Sequence, residues 1–174
     1  GVVELTIALH RSFDLLKDKL IWDVGHQTYV HKLLTGRRKE FPTLRQYKGL
    51  SGFPDPKESE YDPFICGHSG HAISAALGIS CADKINGIND RKAIAIVGDA
   101  AIGAGMSLEA LNHAGHLKRN LIVILNDNKM AISGTIGAIS KHLNKIITSP
   151  LYTDFKKEVR HVLHSLPIIG KRME

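Results

Sequence analysis

The stretch that decides the fold is Ala93-Ile94-Ala95-Ile96-Val97-Gly98-Asp99-Ala100-Ala101, taken together with Leu121-Ile122-Val123-Ile124-Leu125-Asn126-Asp127-Asn128. Each opens with an unbroken apolar run and closes on small or polar residues. Uninterrupted apolar strands are covered on both faces, as in parallel sheets flanked by helices. Between the two runs, residues 104–116 carry Met106, Leu108, Leu111 and Ala114 at helical spacing. Strand, helix, strand predicts a right-handed βαβ unit. The expected fold class is α/β: a parallel sheet with helices on both faces.

In such sheets ligands bind beyond the carboxyl ends of the strands. The loops there are Gly98-Asp99-Ala100-Ala101 and Asn126-Asp127-Asn128, with Asn128 placed 29 residues after Asp99. Asp and Asn offer hard oxygen ligands of the kind Mg²⁺ accepts, one or two carboxylates being completed by phosphate oxygens and water. The backbone N–H groups of Ala100 and Ala101 open the following helix and suit a phosphate. Gly-Asp and Asn-Asp-Asn are also ordinary residues for ending strands in turns. Residue types alone leave both readings open, and the spacing favours the ligand.

Working outward, residues 2–17 read as a helix and Leu20-Ile21-Trp22 as a short strand ending in Asp23-Val24-Gly25-His26. Residues 29–35 form a helical turn or two, residues 71–86 a helix of small residues, and residues 151–165 a final amphipathic helix. From Gly36 to Pro63 the chain is rich in Gly, Pro and charge, a length that marks a functional or mobile segment. No linker to a second domain is visible. The start lacks both an initiator Met and an N-cap, the pattern of an excerpt from a larger protein.

Composition narrows the classes. The chain has 174 residues, 43% hydrophobic and 23% charged, which is ordinary globular usage. No apolar run is long enough to cross a membrane. Two cysteines, Cys66 and Cys81, without a CxxC pair, argue against a disulfide scaffold or zinc ribbon and for a reducing compartment. A net charge of +6 favours acidic partners. The basic residues are scattered and no aromatics interleave with them, so nothing points to nucleic acid.

The phrases Trp22-Asp23-Val24-Gly25-His26-Gln27, Leu34-Thr35-Gly36-Arg37-Arg38, Glu58-Ser59-Glu60-Tyr61-Asp62, Gly67-His68-Ser69, Ala110-Leu111-Asn112-His113-Ala114-Gly115 and Asn126-Asp127-Asn128, in this order around Gly98-Asp99, resemble the 1-deoxy-D-xylulose-5-phosphate synthase family over essentially the whole chain. The family belongs to the transketolase-like, thiamine diphosphate-dependent enzymes. The resemblance implies one diphosphate-binding domain over residues 1–174, with Asp99 and Asn128 as Mg²⁺ ligands through their side chains and Met130 through its carbonyl. It implies cofactor contacts from His26, Gly67, His68, Ser69, Gly98, Ala100, Ala101 and Asn128. The implied reaction joins pyruvate to D-glyceraldehyde 3-phosphate with loss of CO₂, toward isoprenoid precursors, in a homodimer of the bacterial cytoplasm or the plastid. No nucleic acid or membrane partner is implied.

The family's upstream Gly-His loop, its pyrimidine-binding domain with the activating glutamate and its third domain have no counterpart here. The isolated piece is therefore expected to be inactive, and no residue in it is assigned as catalytic. Ala100 replaces a customary glycine, so its methyl group could crowd a diphosphate. Gly70-His71 stands where Ser-Thr is common. Ala100 and the missing upstream loop leave a non-catalytic module of the same fold as an alternative, and a transketolase-type relative is another. His31, His71, His113 and His116 read as surface or supporting residues, and Cys66 as a small structural residue. Arg37-Arg38-Lys39 reads either as a solvated face or as a guide for phosphorylated substrate. The segment 36–63 either shields the site or is simply mobile.

Overall fold

In the computed structural model the described residues are 2–126 together with Ala138, Lys145, Ser149, Asp154, Lys157 and Glu158. The chain divides into two compact units, residues 1–133 and 134–174. Of the second, Asp154 and Lys157 are helical and meet in an exposed pair at 3.4 Å. The helix expected over 151–165 otherwise lies outside the described residues.

The first unit is built on three strands: β1 (Lys19–Trp22), β2 (Ala93–Gly98) and β3 (Leu121–Asn126). They form one parallel sheet in the order β1-β2-β3, with Leu20 level with Ile94 and Ile94 level with Ile122. β2, the central strand, is buried from Ala93 to Val97, as its apolar run predicts. β3 carries an equally apolar run yet is only half-buried along its length, which corrects the expectation of cover on both faces. Periodicity reports which side chains prefer burial; neighbours decide how much they get.

Because successive strand residues point to opposite faces, the sheet has two distinct surfaces. Leu20, Trp22, Ile94 and Ile96 form one core with Leu9 of helix α1 (Val2–Ser12) and Leu15, with Ile122 and Ile124 packed against it. Ile21, Ala95 and Val97 turn to the other face. There helix α3 (Ala72–Ile85) lies on the sheet, burying Ala72, Ile73, Ala76 and Leu77. Alanines on both α3 and β2 let the helix backbone come close. Helix α4 (Gly105–Leu117) crosses from β2 to β3 and packs on α3. The α/β arrangement is thus as expected.

The first helix is shorter than expected. It stops at Ser12 because Asp14 offers the backbone an alternative: its side chain accepts the Leu16 N–H at 3.2 Å, and its carbonyl accepts from Lys17 and Asp18. A short helix α2 (Tyr29–Leu34) follows β1 through one 3₁₀ turn. The long segment 36–63 contains only a second 3₁₀ turn, Phe41–Thr43, but it is neither loose nor a simple surface loop.

What holds that segment is a buried polar cluster. Asp62 is fully buried. It accepts from Arg37 through both oxygens, from His31 Nε2 at 2.9 Å and from the Asp55 N–H at 2.9 Å. Lys32, with no exposed surface, donates to Glu58, whose other oxygen accepts the Ser51 N–H. His31 and Arg37 are therefore buried, correcting the surface reading of both; Arg38 and Lys39 remain exposed. Buried charges persist only when paired and hydrogen-bonded, and here three of the five participants, Arg37, Glu58 and Asp62, come from the two phrases spanning 34–38 and 58–62, with His31 and Lys32 close before the first.

Candidate functional site

Three strands end at one crevice. The carboxyl ends of β1, β2 and β3 deliver Asp23, Asp99 and Asn126 to a cavity of about 330 Å³. His26, Ser69, Gly98, Ala100 and Ala101 also line it, so six of the expected site residues, Asp99 included, are brought together. Gly67 and His68 are exposed just ahead of Ser69 and lie outside the cavity lining; His68 Nδ1 donates to the Ser69 carbonyl at 3.2 Å. Asn128 and Met130 lie outside the described residues.

The loops around the crevice are fixed by contacts that sequence reading missed. Asp23 is fully buried and its carboxylate accepts the Gly70 N–H at 2.8 and 3.0 Å and the Ala72 N–H at 3.2 Å. It thereby ties the segment 67–71 to the end of β1 and satisfies a donor in the first turn of α3. Gly70 sits at φ +96°, and a Cβ there would fall 2.8 Å from that of Ala104. The glycine that replaces the customary Ser thus meets a local requirement of this chain. Ser107 Oγ seals the same junction, donating to a carbonyl of Gly70 at 3.1 Å or Ala101 at 2.8 Å.

Gln27 bridges the outer strands. Its amide nitrogen donates to the Asp23 carbonyl at 3.0 Å, and its amide oxygen accepts from Asn126 Nδ2 at 2.9 Å. Beside it, Val24 holds φ +58°, an uncommon conformation for a β-branched residue, at the cavity rim. Gly25 follows in close contact with its surroundings: its N–H donates to the Cys66 carbonyl at 2.9 Å. A Cβ on it would lie 2.6 Å from Pro54 Cδ and 2.8 Å from the Cys66 oxygen. Backbone of the segment 51–66 is thus seated directly on the loop that presents His26.

At the end of β2, Ala100 adopts φ −74° and ψ −37°, leading into a 3₁₀ turn over Ala101–Gly103. This is ordinary right-handed backbone, so alanine is accommodated without strain where a glycine is customary. Its exposed methyl group does not alter the chain path.

Three titrating groups are displaced in defined directions. Burial pushes the Cys66 thiol up to about 12, with the Asp23 charge adding to it, so Cys66 is an inert structural thiol. Burial would also raise Asp62, but hydrogen bonds from His31 and Arg37 more than reverse it, holding the carboxyl well below the usual range. Ionised Asp62 is only an acceptor, so His31 Nε2 carries its proton. On the other side of the ring, His31 Nδ1 pairs with His10 Nε2 at 3.0 Å. Burial, and then repulsion from His31, lower His10 to about 4.

The arrangement offers the Asp99 carboxylate, amides, a hydroxyl and an imidazole around a cleft at the carboxyl edge of a parallel sheet, the second carboxylate, Asp23, being engaged by the Gly70 and Ala72 N–H groups. Among the described residues no group of three or more His, Cys, Asp or Glu could hold a metal ion. A carboxylate supplemented by neutral oxygens is the kind of donor set that suits Mg²⁺.

Comparison with known proteins assigns the frame. A family model described as 1-deoxy-D-xylulose-5-phosphate synthase matches residues 1–174. Curated proteins of that name are similar throughout. The one from Alkaliphilus oremlandii is 56% identical over 172 residues, 98% of this chain and 27% of its own length. That from Desulfitobacterium hafniense is 56% identical and that from Natranaerobius thermophilus 51%, each over 173 residues. The chain spans about 27% of the length of these relatives.

Proposed function

The chain belongs to the 1-deoxy-D-xylulose-5-phosphate synthase family, and we propose that residues 1–174 form the diphosphate-binding domain of a transketolase-type transferase. The whole enzyme joins pyruvate to D-glyceraldehyde 3-phosphate, releasing CO₂ and forming 1-deoxy-D-xylulose 5-phosphate for isoprenoid synthesis. The observation that supports this best is the meeting of Asp99 and Asn126 at one cavity, from the ends of adjacent parallel strands.

The grouping of His26, Ser69, Gly98, Asp99, Ala100 and Ala101 at one cavity supports a site for thiamine diphosphate with Mg²⁺. Asp99, Asn128 and the Met130 carbonyl would hold the ion through hard oxygens. Gly98, Ala100 and Ala101 would receive the diphosphate on backbone N–H groups, with His26, Gly67, His68 and Ser69 completing the contacts. When bound, the cofactor supplies the carbanion chemistry. The chain's part is to orient: Asp23 and Gln27 fix the loops, and the cluster at Asp62 seats the segment above them.

The reading places the enzyme in the bacterial cytoplasm as a homodimer; no helix among the described residues is long and apolar enough to cross a membrane. Ala100, one support for a non-catalytic module, sits in right-handed backbone that alanine adopts without strain. The test is turnover by the full-length protein. CO₂ release from pyruvate that requires glyceraldehyde phosphate, Mg²⁺ and thiamine diphosphate is expected, with none from residues 1–174 alone. A full-length protein inactive under all these conditions overturns the reading.

A further inference from the structure

The opposite edge of the sheet holds a second polar cavity, of about 170 Å³, between the last turn of α3 and the chain entering β2 and β3. Ser80, Asp83, Lys84, Arg91, Lys118 and Arg119 line it. Four cations face one carboxylate. The C-termini of α3 and α4 end nearby, each contributing roughly half a negative charge. Even after subtracting both helix ends and Asp83, a surplus of about two positive charges remains.

The cavity is also pre-organised. Arg91 Nη1 donates to Asp83 Oδ1 at 2.8 Å, and the Arg91 carbonyl accepts from Asn120 Nδ2 at 2.8 Å, locking the two entry loops together. Three atoms are nevertheless shielded from solvent with no hydrogen-bond partner among the described residues: Arg91 Nε, Arg119 Nε and Asp83 Oδ2. Buried polar atoms are rarely left unpaired. Two of these are donors and one is an acceptor, so a single partner carrying acceptor oxygens together with a proton to donate would satisfy all three.

From this charge and this pairing pattern, we propose that the amino edge of the sheet is a binding site for a small phosphate-bearing anion that also carries a hydroxyl, with inorganic phosphate as the simplest case. Its oxygens accept from the two arginine Nε–H groups, and its hydroxyl donates to Asp83 Oδ2. Arginine is suited to this because its planar fork matches a phosphate face. Sulfate has the shape and the charge but no proton to give near neutral pH. The site stands independently of the cofactor reading, at the far end of β2 from the crevice.

Calorimetric titration of the full-length protein with inorganic phosphate, at ionic strength held constant with chloride, tests it. Saturable binding is expected, weakened tenfold or more by Arg119→Gln, a change of about 1.4 kcal/mol or more. Lys118→Gly should weaken it several-fold. That variant keeps the fold, because Lys118 sits at φ +47°, where glycine is at ease. Asp99→Ala, in the other crevice, should leave this isotherm in place, and sulfate should bind at least tenfold more weakly than phosphate. The proposal is overturned by absence of saturable phosphate binding. Binding lost in Asp99→Ala but retained in Arg119→Gln, or equal affinity for phosphate and sulfate, overturns it too.

Discussion

Asp23 and Gly70 lie 47 positions apart, yet both oxygens of the Asp23 carboxylate are within hydrogen-bond distance of the Gly70 N–H. The same carboxylate reaches Ala72, so one fully buried side chain sets the entry to α3 and the loop carrying Ser69. Asp23→Asn would turn an amide –NH₂ toward backbone donors. A loss of ~2–3 kcal/mol in unfolding free energy is expected, the scale of a charged hydrogen bond left unmade. Thiamine diphosphate affinity should fall with it. Urea denaturation at constant m-value reads the first effect; a loss below ~0.5 kcal/mol, the usual range of a surface substitution, refutes the role.

The chain His10–His31–Asp62 makes stability depend on pH in two windows. His10 falls from its ordinary 6.5 to about 4 in the fold. A lowered folded value means that the unfolded chain takes up the proton first. This contribution is therefore complete above pH 6.5 and is lost as pH falls toward about 4. Asp62, also held low, contributes above the ordinary carboxylate range and loses that contribution only at more acidic pH. In His10→Gln the decline between pH 6.5 and 4 should flatten while the more acidic decline stays. Unfolding midpoints measured across pH decide this, and an unchanged slope in the variant counts against the linkage.

Two glycine substitutions separate space from backbone freedom. Gly25→Ala puts a methyl 2.6 Å from Pro54 Cδ and 2.8 Å from a backbone oxygen. Destabilisation of ~1–3 kcal/mol is expected from overpacking. Gly78→Ala, in α3 with nothing within 4 Å of the new carbon, should stabilise by about 0.5–1 kcal/mol. Melting temperatures moving in opposite directions meet the expectation; a neutral Gly25→Ala does not.

At the end of β2 the neighbouring positions should behave very differently. Asp99→Ala should abolish Mg²⁺-dependent binding of thiamine diphosphate, measured calorimetrically on the full-length protein. Unchanged affinity removes Asp99 from the metal site.

Ala100→Gly should leave that binding equal or slightly tighter, because the backbone at φ −74° suits either residue. A tenfold loss, about 1.4 kcal/mol, would show that the methyl group takes part in holding the loop.

The sheet and its crevice were legible because their signals are local. Five apolar residues in a row define each of β2 and β3, and polar residues at their ends follow from chain order alone. The clamps were not legible. Asp23 with Gly70, His31 with Asp62 and Gln27 with Asn126 join residues 47, 31 and 99 positions apart, and no spacing rule pairs them. Arg37 looks like a solvated charge beside Arg38 and Lys39, and only its carboxylate partner across the segment makes it a buried one. A hint was available in Glu58 and Asp62, two acids in a family phrase with no assigned work. The early end of α1 was likewise hidden, since Asp14 competes for backbone donors just where the apolar pattern continues.

The cluster around Asp62 leaves the far tip of its segment free to be modified. Tyr47 is 92% exposed, and the tip closes on itself through the Arg45 N–H and the Leu50 carbonyl at 2.7 Å. With Cys66 chemically silent, replacing Cys81 by serine and Tyr47 by cysteine would give this chain a single labelling position. A fluorophore or surface tether attached there would ride on a riveted arm, reporting on the crevice without entering it.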